Sequence, residues 1–102
     1  MLCYTTLDNK KQARKIIKKL LSKNLIACAQ IQKISSLYRW EGNLCNDKEF
    51  LLIFKSRPKK RKKLCRILTK LHPYKVPEIA CVRVDSWGKA YKKWLLKQCK
   101  CG

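Results

Sequence analysis

The chain has 102 residues, 46% of them hydrophobic, and its 26 basic residues against 6 acidic ones give a formal net charge of +20. This length predicts one domain, spanning residues 1–102, and no apolar run approaches the ~18 residues that a membrane-crossing helix needs. The charge favours nonspecific attraction to nucleic acid, but 20 of the 26 basic residues are Lys, which disfavours a dedicated nucleic-acid reader built on Arg contacts.

The first elements are a short strand and an amphipathic helix. Residues 2–6 predict the strand, and Asp8 is the predicted N-cap of a helix that runs to about Asn24. The apolar residues of this helix recur at the i, i+3, i+4 and i+7 spacing of one face, while lysines occupy the other face. The helix therefore has one side to bury against a sheet.

A long hairpin follows the first helix. Residues 25–34 alternate as a strand that residues 36–41 continue, and residues 49–55 form a second strand. Gly42-Asn43 and Asn46-Asp47 are the predicted turns between these strands. Because residues 49–55 are largely apolar on both faces, we expect that strand to be buried.

The remaining elements complete a recognisable plan. Ser56 and Pro58 predict the start of a second helix, residues 79–84 a fourth strand, and residues 90–95 a last short helix. The fold class is α+β: a ferredoxin-like β-α-β-β-α-β antiparallel sheet with two helices on one face, plus a short C-terminal helix. Because the other sheet face also carries apolar residues, we expect another subunit to cover it.

Seven cysteines are present without a C-x-x-C pair, and a single histidine accompanies them, so a zinc finger is excluded. Cys28, Cys65 and Cys81 occupy positions where a small apolar residue would serve, which favours buried free thiols in a cytoplasmic protein. We expect no signal peptide, since the first residues contain neither a basic leader nor a long apolar block. The Cys99-x-Cys101 pair is interpreted as incidental.

The residue inventory disfavours an enzyme. One histidine, no Gly-rich phosphate loop and six scattered carboxylates leave no acid–base dyad. The chemistry concentrates in residues 72–79, where two prolines stiffen a connector that carries His72, Tyr74 and Glu78. Imidazole and carboxylate suit Cu(II) or Zn(II), and a thiolate such as Cys3 would add a soft ligand. The alternative is that His72 bonds the backbone and Glu78 pairs with a lysine.

Two other patterns have both a structural and a functional interpretation. Tyr38-x-Trp40 places two aromatic residues on one strand face, where cross-strand packing is a commoner use than ligand stacking. Residues 55–63 hold seven basic residues in nine at a helix start, where their charge opposes the helix dipole. A bound anion would relieve that repulsion, but solvent does so too, and the pattern indicates an anion site only weakly.

Five sequence blocks, in order and at fitting spacing, resemble the CutA divalent-cation tolerance family. The resemblance extends from Thr5 to about Leu96. The blocks are Leu25-Ile26-Ala27-Cys28, Tyr38-Arg39-Trp40-Glu41-Gly42, Phe50-Leu51-Leu52-Ile53-Phe54-Lys55, His72-Pro73-Tyr74-Lys75-Val76-Pro77-Glu78-Ile79 and Tyr91-x-x-Trp94.

The resemblance implies a tight cytoplasmic homotrimer of ferredoxin-like subunits that binds copper or another divalent metal weakly and is not an enzyme. His72 matches the histidine of the family motif and is the first candidate ligand, Cys3 is the second and Glu78 the third. Tyr4 competes with Cys3 for the family's cysteine position, and one residue on a strand means the opposite face. Leu71 stands where some members carry a second histidine, which predicts a poorer copper site.

Two other functions remain open at this stage. One is a trimeric signalling or binding scaffold that holds a small anionic ligand in the clefts between subunits. The other is a nucleic-acid-binding protein that depends on the net charge of +20.

Overall fold

A computed structural model describes residues 1–100 of the chain. Its four strands form one antiparallel sheet in the order β2-β3-β1-β4, so the first strand is internal. The predicted order of elements, with the terminal helix, is confirmed. The elements are β1 (Leu2–Leu7), α1 (Lys10–Ser22), β2 (Cys28–Trp40), β3 (Asn43–Lys55), a 3-10 turn (Pro58–Lys60), α2 (Arg61–Leu71), β4 (Ala80–Val82) and α3 (Lys89–Gln98).

One face of β1 belongs to the hydrophobic core. Cys3 lies opposite Phe54 of β3 and Thr5 lies opposite Leu52, and all four side chains are fully buried. Apolar side chains from one face of α1 and of α2 complete this core. They are Ala13, Ile16, Leu20, Leu64 and Leu68. The apolar face of each helix, which repeats every 3.6 residues, thus packs against one face of the sheet, whose side chains repeat every two residues.

The alternate residues of the same strands point to the opposite face of the sheet. Tyr4 lies opposite Ile53, and Thr6 lies opposite Leu51. These four side chains are only half-buried in the single chain. The structure therefore has an apolar sheet face that its own two main helices do not bury, as the sequence predicted.

The first helix begins one residue later than predicted. Its N-cap is Asn9, whose side-chain oxygen accepts a hydrogen bond of 2.9 Å from the backbone N–H of Gln12, so the assignment of Asp8 as the cap is wrong. The predicted end is confirmed, since Asn24 adopts the left-handed conformation with φ +56° just after the last turn.

The hairpin is longer than predicted and contains one turn. Glu41 and Gly42 both have positive φ, +49° and +80°, as a tight two-residue turn requires. Strand pairing begins at once, with Trp40 opposite Asn43. The predicted turn at Asn46-Asp47 is wrong because continuous pairing with β2 outweighs the turn preference of those residue types.

Two other boundaries differ from the sequence prediction. Ser56 does not cap α2; its buried hydroxyl donates a 2.6 Å hydrogen bond to the carbonyl of Leu25, and Pro58 begins the 3-10 turn instead. The fourth strand covers only Ala80–Val82. Within residues 1–100, no helix is long and apolar enough to pass through a membrane.

The N-cap gives a stability prediction. Asn9→Ala removes the acceptor of the Gln12 N–H and should lower the free energy of unfolding by about 1 kcal/mol. Asn9→Asp is the matched control, because it keeps an acceptor and adds a negative charge at the positive end of the helix dipole. Urea unfolding at one fixed protein concentration measures both variants; equal losses in the two would contradict the cap assignment.

Candidate functional site

The only histidine lies where α2 ends and the proline-stiffened connector begins. His72 is the C-cap residue of α2, and Pro73 follows it. The ring Nε2 lies 3.0 Å from the carbonyl oxygen of Thr6, and Nδ1 accepts a 3.1 Å hydrogen bond from the backbone N–H of Tyr74. Because Nδ1 accepts, the proton belongs on Nε2, which donates it to Thr6. His72 thus ties the connector to β1.

This arrangement keeps the imidazole neutral. His72 is 7% exposed, and its burial lowers the pKa below the ordinary value of 6.5, against the opposing effects of the Thr6 hydrogen bond and the Glu49 carboxylate. A neutral imidazole is the form that binds metals. However, both ring nitrogens are already hydrogen-bonded, so a metal ligand at His72 requires the loss of one of these bonds, at about 1 kcal/mol.

Tyr74 links the connector to the hairpin. Its ring packs edge-on against His72 with centroids 4.9 Å apart, and its hydroxyl donates a 2.9 Å hydrogen bond to the carboxylate of Glu49. Glu49 is 8% exposed, so a carboxylate is buried at the sheet surface with a phenol as its partner. Burial, followed by this bond, raises the pKa of Tyr74.

A cleft of about 930 Å³ opens beside this pair, between the hairpin, the end of β1 and the connector. Four of the six acidic residues of the chain line it: Asp8, Asp47, Glu49 and Glu78. Among residues 1–100, Lys75 is the only basic side chain on its walls, in a chain with a net charge of +20. These carboxylates are scattered along the sequence, and the fold places four of them on the walls of one cleft.

The hairpin supplies two of the four carboxylates, because side chains two residues apart on a strand lie on the same face. Asp47 and Glu49 are two residues apart on β3 and share a face. The hydroxyl of Tyr38 on β2 donates a hydrogen bond to Asp47, and this bond raises the pKa of Tyr38 to about 12. Trp40, two residues after Tyr38 on β2, is 55% exposed. The predicted aromatic packing therefore does not bury it within the single chain. The period-two spacing of Asp47 and Glu49 was the sequence signal that could have indicated this wall.

The three predicted ligands occupy different places. Glu78 is exposed and lines the cleft, and His72 lies behind Tyr74. Cys3 is fully buried on the helix-facing side of β1. It lies three residues, or about 10 Å of strand, before Thr6, which bonds His72. Tyr4, its competitor, lies on the opposite face. Among residues 1–100 no three His, Cys, Asp or Glu side chains form a group that could hold a metal ion.

Comparison with known proteins identifies the family of the chain. The model of the CutA1 divalent ion tolerance protein family matches residues 1–98. The chain belongs to this family. A CutA relative is the divalent-cation tolerance protein of Thermotoga maritima, 42% identical over 95 residues that cover 93% of this chain and 94% of the relative.

Solved CutA structures also share the fold. Pyrococcus horikoshii CutA1 superposes with a TM-score of 0.93 at 37% identity, covering 97% of both chains. A CutA protein of Archaeoglobus fulgidus, described as periplasmic, gives a TM-score of 0.93 at 29% identity, again over 97% of both chains. The resemblance to the CutA family deduced from the five sequence blocks is confirmed.

The buried imidazole predicts a pH effect. The single histidine should titrate below 6.5 in the metal-free folded protein, because burial disfavours its charged form. The unfolded chain takes up this proton near pH 6.5, so His72 stabilises the fold above that pH, and its contribution is lost as pH falls towards the folded-state pKa.

Proton NMR of the His72 ring measures this pKa directly, since the chain has no second histidine. A substitution at Thr6 would keep the backbone carbonyl that bonds Nε2 of His72, so it cannot test this bond. Tyr74→Phe is the useful comparison: it keeps the backbone N–H that bonds Nδ1 and should leave the pKa of His72 depressed. A His72 pKa at or above 6.5 would contradict the buried, neutral arrangement.

Proposed function

We propose that this CutA-family protein is a non-enzymatic, homotrimeric divalent-cation tolerance protein of the cytoplasm that binds copper weakly. The family name concerns divalent ions, and the relatives named above carry the same description. The proposal treats the copper ion as cargo or signal of the protein.

The concentration of acidic residues in the cleft carries the proposal. In a chain with 26 basic and 6 acidic residues, four carboxylates on the walls of one cleft create a local field of the opposite sign to the protein as a whole. Carboxylate and imidazole groups are ligands for Cu(II) and Zn(II). The same field disfavours a small anionic ligand in this cleft.

Weak binding follows from the hydrogen bonds that already hold the site. His72 and Glu78 are the proposed ligands nearest the cleft. A metal at His72 must break a backbone hydrogen bond, and Glu49 already accepts one from Tyr74. Cys3, the second predicted ligand, stays a prediction; its thiol would have to leave the core side of β1 to share a metal with His72.

Assembly into a homotrimer is supported by the uncovered apolar surface. The open sheet face carries Tyr4 and Ile53, and the far half of the hairpin exposes Leu37 by 67%, Trp40 by 55% and Leu44 by 74%. Apolar side chains grouped in this way mark protein interfaces. Cytoplasmic location is also part of the proposal, in contrast to the Archaeoglobus relative described as periplasmic.

Native mass spectrometry of the reduced, metal-free protein titrated with Cu(II) tests the proposal. We expect a trimer that takes up one copper per subunit, with affinity lowered by about tenfold or more in His72→Ala and in Glu78→Gln, as for other changes at metal sites. Cys3→Ala tests the second predicted ligand in the same series.

Glu41→Gln is the matched control, because Glu41 is exposed at the hairpin turn and is not one of the residues that line the cleft. It removes the same charge and should leave copper affinity unchanged. Equal copper uptake by the wild type, His72→Ala and Glu78→Gln would disprove the ligand assignment while leaving the family and the fold intact.

A further inference from the structure

Two thiols are in contact on the helix side of the sheet, away from the acidic cleft. The sulfur atoms of Cys65 on α2 and Cys81 on β4 lie 3.5 Å apart, and both side chains are half-buried. Each is a free cysteine. The sequence interpretation of these residues as small apolar fillers accounts for their burial but not for their pairing.

The register of the sheet creates this contact. Cys81 lies directly opposite Cys3 in the β1–β4 pair, so both side chains point to the core, and α2 packs its Cys65 over them. Cys3 is a third, fully buried thiol beside the pair.

We infer that Cys65 and Cys81 form a two-thiolate site for Cu(I), separate from the cleft and independent of the divalent-cation function proposed above. Thiolates are the ligands that soft Cu(I) prefers. Because residues 1–100 provide no group of three or more metal-binding side chains, a zinc ion, which takes four ligands, is not suited to the site. Binding replaces the two thiol protons by one Cu(I), releases both protons to water and transfers no electron.

The 3.5 Å distance between the sulfur atoms is short for the near-linear S–Cu–S arrangement that two-coordinate Cu(I) prefers, so binding moves the sulfurs apart by about 1 Å. At a metal–sulfur bond of about 2.3 Å, as zinc shows, two sulfurs on one metal can stand ~3.5 Å apart at an angle near 100°, and further apart as the angle opens. A disulfide would require the 3.5 Å separation to shrink to about 2.05 Å across two packed elements.

Charge and access also suit a cuprous ion. Arg61 lies one helical turn before Cys65 on α2, so its guanidinium places a positive charge near this thiol. The bound pair and Cu(I) together carry one negative charge, which Arg61 and the positive field of the chain stabilise. Both thiols are partly exposed, so the ion reaches them without unfolding of the core.

An anaerobic titration of the reduced protein against a chromophoric Cu(I) chelator tests the inference. The wild type should withdraw one Cu(I) per subunit from the chelator and develop an ultraviolet thiolate-to-copper absorption band. Cys65→Ala and Cys81→Ala should each weaken Cu(I) binding by more than about 100-fold, which exceeds the usual loss on removing an outer partner of a metal.

Two controls separate this site from other copper binding. Cys45→Ala removes a half-buried thiol on the hairpin and should leave Cu(I) affinity unchanged. His72→Ala should also leave it unchanged, whereas it weakens Cu(II) binding if the cleft proposal holds. The two proposals can therefore fail separately.

Alkylation of the wild-type protein keeps the inference testable if a variant does not fold. Cu(I) should protect Cys65 and Cys81, but not Cys45, from iodoacetamide, as read by peptide mass spectrometry. Unchanged Cu(I) affinity in both cysteine variants, or unprotected Cys65 and Cys81 in the loaded wild type, would overturn the inference. So would conversion of the pair to a disulfide with no copper retained.

Discussion

The pairing of β1 between β3 and β4 is the constraint on which the rest of the structure depends. The first strand is internal to the sheet. All of its residues pair with β3, and Leu2–Tyr4 also pair with β4 on the other side. Strict alternation then assigns Cys3 to the helix side and Tyr4 to the open side. A slip of one residue would exchange the core for the open face and would leave neither site intact.

The two faces of the sheet consequently carry different chemistry. The helix side holds the apolar core with its three neighbouring thiols, whereas the open side leads to the cleft with its carboxylates, phenols and the connector that His72 anchors. Hard oxygen ligands and soft sulfur ligands are thus separated by the thickness of one sheet. Apart from Cys3, which is a predicted ligand of the divalent cation and also lies beside Cys81, the divalent-cation proposal and the Cu(I) inference therefore rest on different residues.

Much of the fold is predictable from the sequence because the helices and strands have clear periods. Errors occurred where local preference competed with pairing: Asn46-Asp47 looks like a turn, but it lies inside β3 opposite Leu37 and Ser36. The predicted N-cap of α1 was one residue too early because Asp and Asn are equally good capping residues. Only the observed hydrogen bond from Gln12 identifies Asn9 as the cap.

The site was harder to predict than the fold. His72 and Glu78 belong to one short motif and could be proposed from it, but the cleft combines that motif with Asp8 and with two hairpin residues about 30 positions away. Likewise, nothing in the spacing of Cys65 and Cys81 indicates their contact, which depends on how α2 packs over β4. Side chains brought together by tertiary packing leave no local pattern in a single sequence.

The central claim is that the acidic cleft receives a divalent cation beside the His72 connector. Anomalous diffraction at the copper edge, from crystals grown without metal and then soaked in Cu(II), tests it most directly. We expect a copper peak inside the cleft, within bonding distance of Glu78 or of His72 after rearrangement of its ring. A well-occupied copper at surface positions together with a cleft free of anomalous signal would contradict it.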